Sequence, residues 1–106
     1  MLIVKKFGGT SVGDPDRIRN VARRCVEEYK KGNDVVVVLS AMGDTTDDLL
    51  DLASKISKKP PKRELDMLLS TGEQVSVSLC AMAIMEMGYP AVSLNAFQVA
   101  MQNMMH

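Results

Sequence analysis

Val35-Val36-Val37-Val38-Leu39-Ser40-Ala41-Met42-Gly43 is a run of five apolar residues closed by a small, glycine-containing turn. The run has no polar alternation, so it predicts a strand covered on both faces, as central strands of parallel sheets are. Upstream, Leu2 to Phe7 predicts a first strand, rich in β-branched and aromatic residues, which Gly8-Gly9 breaks. Between the two, Asp14 reads as an N-cap and Pro15 as the first helical residue. Ile18, Val21, Ala22, Cys25, Val26 and Tyr29 then recur at helical spacing, charged residues fill the other face, and Gly32 is a natural stop. Strand, helix and strand in this order form a βαβ unit, whose crossover is expected to be right-handed.

Downstream, Thr45, Thr46, Asp47 and Asp48 are suited to be hydroxyl caps and first-turn acids of a helix carrying Leu49, Leu50, Leu52, Ala53 and Ile56. Lys58-Lys59-Pro60-Pro61 is a loop. Arg63 to Leu69 predicts a short helix, and Ser70-Thr71-Gly72-Glu73 predicts the opening of the next. From Val75 to Met87 that helix is apolar almost all round, which predicts burial or an interface. Gly88-Tyr89-Pro90 stops it, and Ala91-Val92-Ser93-Leu94 predicts a third strand. Asn95 to His106 fits no single element. No internal repeat or low-complexity linker interrupts the chain.

The length of 106 residues suits one compact domain, and 46% hydrophobic with 25% charged residues is ordinary for a globular protein. No apolar run approaches the roughly 20 residues of a membrane span. The short apolar start, Leu2-Ile3-Val4, precedes its lysines and does not read as a signal peptide. A cytoplasmic protein is expected. Thirteen basic residues balance thirteen acidic ones, which argues against nucleic-acid binding through a global basic field. The local clusters around Arg17 to Lys31 and Lys55 to Arg63 read as solvated helix faces and loop ends.

The one histidine, His106, is the last residue, which argues against a histidine-based triad or metal centre. Cys25 and Cys80 lie among apolar residues and read as buried reduced thiols. Six of the nine methionines fall between Met82 and Met105 and read as adaptable core filling or as an interface. Chemistry is left to Lys, Asp/Glu, Ser/Thr and backbone groups, a set that suits phosphoryl transfer.

In a parallel sheet, ligands bind beyond the carboxyl ends of the strands. Lys6-Phe7-Gly8-Gly9 and Ser40-Ala41-Met42-Gly43 both lie there, on the same edge. Backbone bare of Cβ atoms at Gly8-Gly9 can approach a phosphate, and a lysine beside it can neutralise charge on a transferring phosphoryl group. Gly8 to Gly13 has the spacing of a Walker A loop, but Asp14-Pro15 stands in place of its Lys-Ser/Thr. On residue types alone, a structural turn explains the glycines equally well. Glu73 likewise divides between a carboxylate at a helix dipole and a receptor for a substrate ammonium group. Thr45 and Thr46 divide between capping and ligand contacts.

Three segments in order resemble the aspartokinases of the amino-acid kinase superfamily. They are Lys6-Phe7-Gly8-Gly9-Thr10-Ser11-Val12, Val36 to Asp47, and Arg63 to Gln74. The resemblance extends from residue 1 to about residue 101 and implies an α/β fold: a three-layer sandwich with a mostly parallel sheet, amino-acid kinase-like and incomplete, in which residues 1–106 form the N-terminal portion of the kinase domain. It implies transfer of the ATP γ-phosphoryl group, with Mg, to the side-chain carboxylate of L-aspartate in the parent enzyme. By position, Lys6 and Ser40 would be catalytic. Lys6, Phe7, Gly8 and Gly9 would contact ATP. Thr46 and Glu73 would bind aspartate, Glu73 through the α-ammonium group. No metal ligand is expected from this chain.

The family's domain is longer, and its further part carries the adenine pocket and a catalytic aspartate. Gln102-Asn103-Met104-Met105-His106 does not resemble the family's continuation. A truncated, inactive fragment without regulatory domains is therefore expected, one that pairs as a homo-oligomer or with a complementary chain. The alternatives are a non-catalytic phosphate or amino-acid binding module and a self-associating interaction module. No nucleic-acid or membrane partner is expected.

Overall fold

The computed structural model describes residues 1–94. Strand β1 (Leu2–Phe7) leads through a 3-10 turn (Gly9–Val12) into helix α1 (Pro15–Lys30). Strand β2 (Asp34–Leu39), helix α2 (Thr45–Ile56) and helix α3 (Lys62–Glu86) follow. The strands pair in parallel, from Leu2 with Asp34 to Phe7 with Leu39. This is the expected α/β architecture, an incomplete sandwich built on a small parallel sheet.

Local chemistry sets the limits of α1. The Asp14 carboxylate accepts from the Arg17 backbone N–H at 2.9 Å, and Pro15 follows it. Such a cap is worth about 1 kcal/mol. Gly32 and Gly88 adopt a φ of +91° just beyond α1 and α3, a conformation that favours glycine. Tyr89 then stacks edge-on against Tyr29, with centroids 5.9 Å apart, and ties the end of α3 to the end of α1.

Alternate residues of the sheet face opposite ways. Phe7, Val35, Val37 and Leu39 turn inward, onto Val12, Ile18, Val21, Ala22 and Cys25, with Cys80 from α3. Lys5 shares that side and pairs with Glu28 at 3.9 Å. Burial pushes the Cys25 thiol upward, against the smaller opposing pull of Lys5. Burial also pushes Cys80 up to about 11, with Cys25 adding to the shift. Both thiols are free and buried, as expected, and stay protonated at neutral pH.

Four local expectations are corrected. First, β2 is not covered on both faces: Val36 and Val38 remain 48% and 46% exposed, beside exposed Leu2 and Val4 of β1. Among the described residues no layer packs on this outer face. Second, residues 63–69 and the segment from Ser70 belong to one continuous helix. Ser70 and Thr71 cap nothing, because their hydroxyls donate to the carbonyls of Met67 and Leu68 within the helix, both at 2.7 Å. Glu73 therefore lies inside α3 and not in a first turn.

Third, neither Thr45 nor Thr46 caps α2. Asp44 takes the N-cap position without a side-chain hydrogen bond, while Asp47 and Asp48 are the expected first-turn acids. Fourth, Ala91 to Leu94 form no strand, since neither β1 nor β2 hydrogen-bonds to them. A strand exists only through its partner's backbone groups. Asn95 to His106, with Met101, Met104 and Met105, lie outside the described residues.

By length and composition, α3 is apolar enough to cross a membrane. It packs against α1 and β2 along one side, where Gly72, Ser76, Cys80 and Ala81 are buried. The same helix leaves Val75, Leu79, Met82 and Met85 exposed, so its apolar surface is divided between core and open face.

Candidate active site

The parallel register carries both strand ends to one edge. Lys6 lies opposite Val38 and is exposed on the outer face, one residue before the end of β1. Phe7 points the other way, into the core, so its ring is not at this edge. Its backbone is: the Ser40 N–H donates to the Phe7 carbonyl at 3.2 Å. Ser40 is half-buried and follows β2 directly.

Gly8 is extended, with φ −80° and ψ 176°, and a Cβ built on it would meet nothing within 4 Å. The glycine thus leaves bare, open backbone beside Lys6. The Gly8 carbonyl accepts from the Ser11 N–H at 3.0 Å, which folds the chain into the 3-10 turn. Gly9 is there for a different reason. A Cβ at Gly9 would stand 3.3 Å from the Ala41 carbonyl oxygen and 3.6 Å from that of Gly43. The Gly43 N–H in turn donates to the Gly9 carbonyl at 3.4 Å. The two strand-end turns are in direct backbone contact.

Helix α3 closes the third side. A Cβ at Gly72 would lie 2.9 Å from the Ala41 Cβ and 3.1 Å from the Thr45 Cγ2. The missing side chain lets α3 rest on the β2–α2 turn. Glu73 follows Gly72 on α3 and is exposed, as is Thr46, which follows Thr45 in the first turn of α2. The structure thus gathers Lys6, Gly8, Gly9 and Ser40 at one edge, with Thr46 and Glu73 on the elements that meet it at Gly72. Ala41 and Gly72 did not stand out in the sequence as candidate site residues. A glycine inside a helical pattern was the one available signal for Gly72.

The amino acid kinase family matches residues 1–104. This chain belongs to that family. An aspartokinase of Bacillus sp. (strain MGA3) is 67% identical over 97 residues, covering 92% of this chain and 24% of its own length. Aspartokinase 2 of Bacillus subtilis is 56% identical over 101 residues, or 95% of this chain and 25% of that protein. The crystal structure of aspartate kinase from Synechocystis superposes with a TM-score of 0.85 at 57% identity, over 89% of this chain and 16% of that one. This amino acid kinase chain therefore spans about a quarter of the length of the curated relatives it matches.

Bare backbone at Gly8 with Lys6 alongside fits a phosphate group. No group of three or more His, Cys, Asp or Glu side chains among the described residues could hold a metal ion.

Proposed function

We propose that this chain is the N-terminal part of an aspartokinase catalytic domain. In the complete cytoplasmic enzyme, an oxygen of the L-aspartate side-chain carboxylate attacks the γ-phosphorus of ATP. The bond to the bridging oxygen breaks, and ADP leaves with its electron pair. The observation that carries this reading is the contact of the two strand-end turns at Gly9 and Gly43, with Lys6 at the same edge. Lys6 neutralises charge on the transferring group, and the backbone at Gly8 and Gly9 approaches the phosphates. Ser40 lines the phosphoryl position. Thr46 and Glu73 hold aspartate, Glu73 by its ammonium group. Magnesium, carried on the ATP phosphates, supplies charge neutralisation when bound. No covalent enzyme intermediate is needed, because alignment of two anions supplies much of the acceleration.

Calorimetric titration with L-aspartate tests the substrate half of this reading. Glu73→Gln is expected to weaken binding about tenfold, the worth of one hydrogen bond to a charged group. Unchanged affinity removes Glu73 from the site.

A second reading, a self-associating module, is favoured by one observation. Leu2, Val4, Val36 and Val38 form an exposed apolar sheet face, and Val75, Leu79 and Met82 an exposed helix stripe. Light scattering is expected to show a mass that rises with concentration as second copies cover these surfaces. A constant monomer mass across the range rejects that reading.

A further inference from the structure

A cleft of about 290 Å³ opens between the 3-10 turn and α1, on the side of the sheet opposite Lys6. Phe7 and nearly buried Val21 are its apolar lining residues, Thr10 and Ser11 line it from the 3-10 turn, and Arg17, Asn20 and Arg24 line it from one face of α1. Their spacing of three and four residues puts them in a single row. No acidic side chain lines the cleft.

The two arginines are held differently. Arg17 is anchored: its guanidinium donates to the Thr10 carbonyl at 2.6 Å and stands 3.6 Å from the Asp14 carboxylate. Arg24 makes no salt bridge among the described residues. Its guanidinium carbon stands 6.0 Å from the centre of the Phe7 ring, which positions the group and leaves its N–H donors unclaimed by a carboxylate. An uncompensated planar donor, a second anchored guanidinium and an amide thus share the cleft with an apolar lining. A guanidinium fork matches the oxygens of a phosphate, and the apolar lining matches an aryl or short alkyl group.

We propose that this cleft binds a small organic phosphate, at a site distinct from the strand-end site. The phosphate sits between Arg24 and Arg17 with Asn20 donating, and the organic group rests on Phe7 and Val21. Phe7 serves both sites by different atoms, its backbone at the strand end and its ring in the cleft.

Phenyl phosphate titrated into the chain, followed by the NMR signals of the arginine Nε–H groups and the Asn20 side-chain amide, tests the assignment. Saturable shifts are expected at Arg17, Asn20 and Arg24, with weaker binding of inorganic phosphate, which has no group for the apolar lining. Added salt is expected to weaken both. Arg24→Gln is expected to cost about tenfold in affinity, and Arg24→Lys less, because it keeps the charge and loses the fork. Arg19→Gln, on the same helix but paired with Asp16, is expected to leave binding unchanged. Glutamine is a good helix former, and the backbone amide spectrum reports folding directly. Absence of saturable shifts, equal losses in Arg19→Gln and Arg24→Gln, or shifts confined to Lys6 and Gly8 each overturn the proposal.

Discussion

Gly72→Leu is expected to destabilise this chain strongly. The position lies inside α3 and is buried. The first atom a side chain meets there is the Ala41 Cβ, at 2.9 Å, followed by the Thr45 Cγ2 at 3.1 Å and the Leu49 Cδ1 at 3.6 Å. Ala41 has no rotamer with which to give way, and its Cβ sits on backbone anchored through Gly9 and Gly43. The leucine can fit only if α3 lifts off the β2–α2 turn. Forced overpacking costs roughly 1–3 kcal/mol for small insertions, and loss of the contact adds to it, for about 4 kcal/mol in all. Domains of this size hold 5–15 kcal/mol, so a fall in melting temperature of about 20 °C is expected by thermal denaturation. Gly72→Ala is milder, because about 1 kcal/mol of gained helix propensity offsets part of its overlap. Gln74→Leu, exposed two residues on, is expected to change stability by no more than about 0.5 kcal/mol. Equal melting of Gly72→Leu and the unaltered chain removes close packing as the reason for the glycine.

Gly72 also marks where the sequence could be read and where it could not. Asp14-Pro15 announces α1 because a cap is local: the carboxylate and the N–H that it accepts are three residues apart. The strands β1 and β2 are legible for a similar reason, since β-branched residues favour extended backbone wherever they lie. Ser70-Thr71-Gly72 misleads because the same residue types serve two ends. Their hydroxyls can cap a new helix or bond back within an existing one, and the choice is made by the contact of α3 with Ala41 and Thr45, residues distant in sequence. The uncovered Val36 and Val38 follow the same rule. A strand shows that it can be buried on both faces, but whether it is depends on a layer from elsewhere. The Lys6–Ser40 edge was legible because parallel pairing alone brings two strand ends together. The bond from Gly43 to Gly9 was not, because close backbone approach leaves no mark beyond the glycines themselves.

Lys6 carries the second large effect, in catalysis and not in stability. Its side chain is exposed on the open face of the sheet, so Lys6→Met removes no core contact and is expected to leave the melting temperature within about 2 °C. On the proposed function the chain alone turns over no ATP, because its strand-end edge is one wall of a site whose other walls come from further sequence. A coupled assay with aspartate and MgATP is expected to read zero for the 106-residue chain. Turnover is expected when a complementary chain, carrying the remainder of an aspartokinase such as that of Bacillus sp. (strain MGA3), covers the face formed by Leu2, Val4, Val36 and Val38. In that pair, Lys6→Met is expected to lower kcat about a thousandfold, the usual worth of a preorganised group facing charge that develops in the transition state. The KM for aspartate should move little, since Glu73 and Thr46, not Lys6, are assigned to aspartate. Robust turnover by the chain alone contradicts the one-wall reading. A reconstituted pair in which Lys6→Met alters KM and spares kcat makes the lysine a ground-state binder and moves the charge stabilisation to another group.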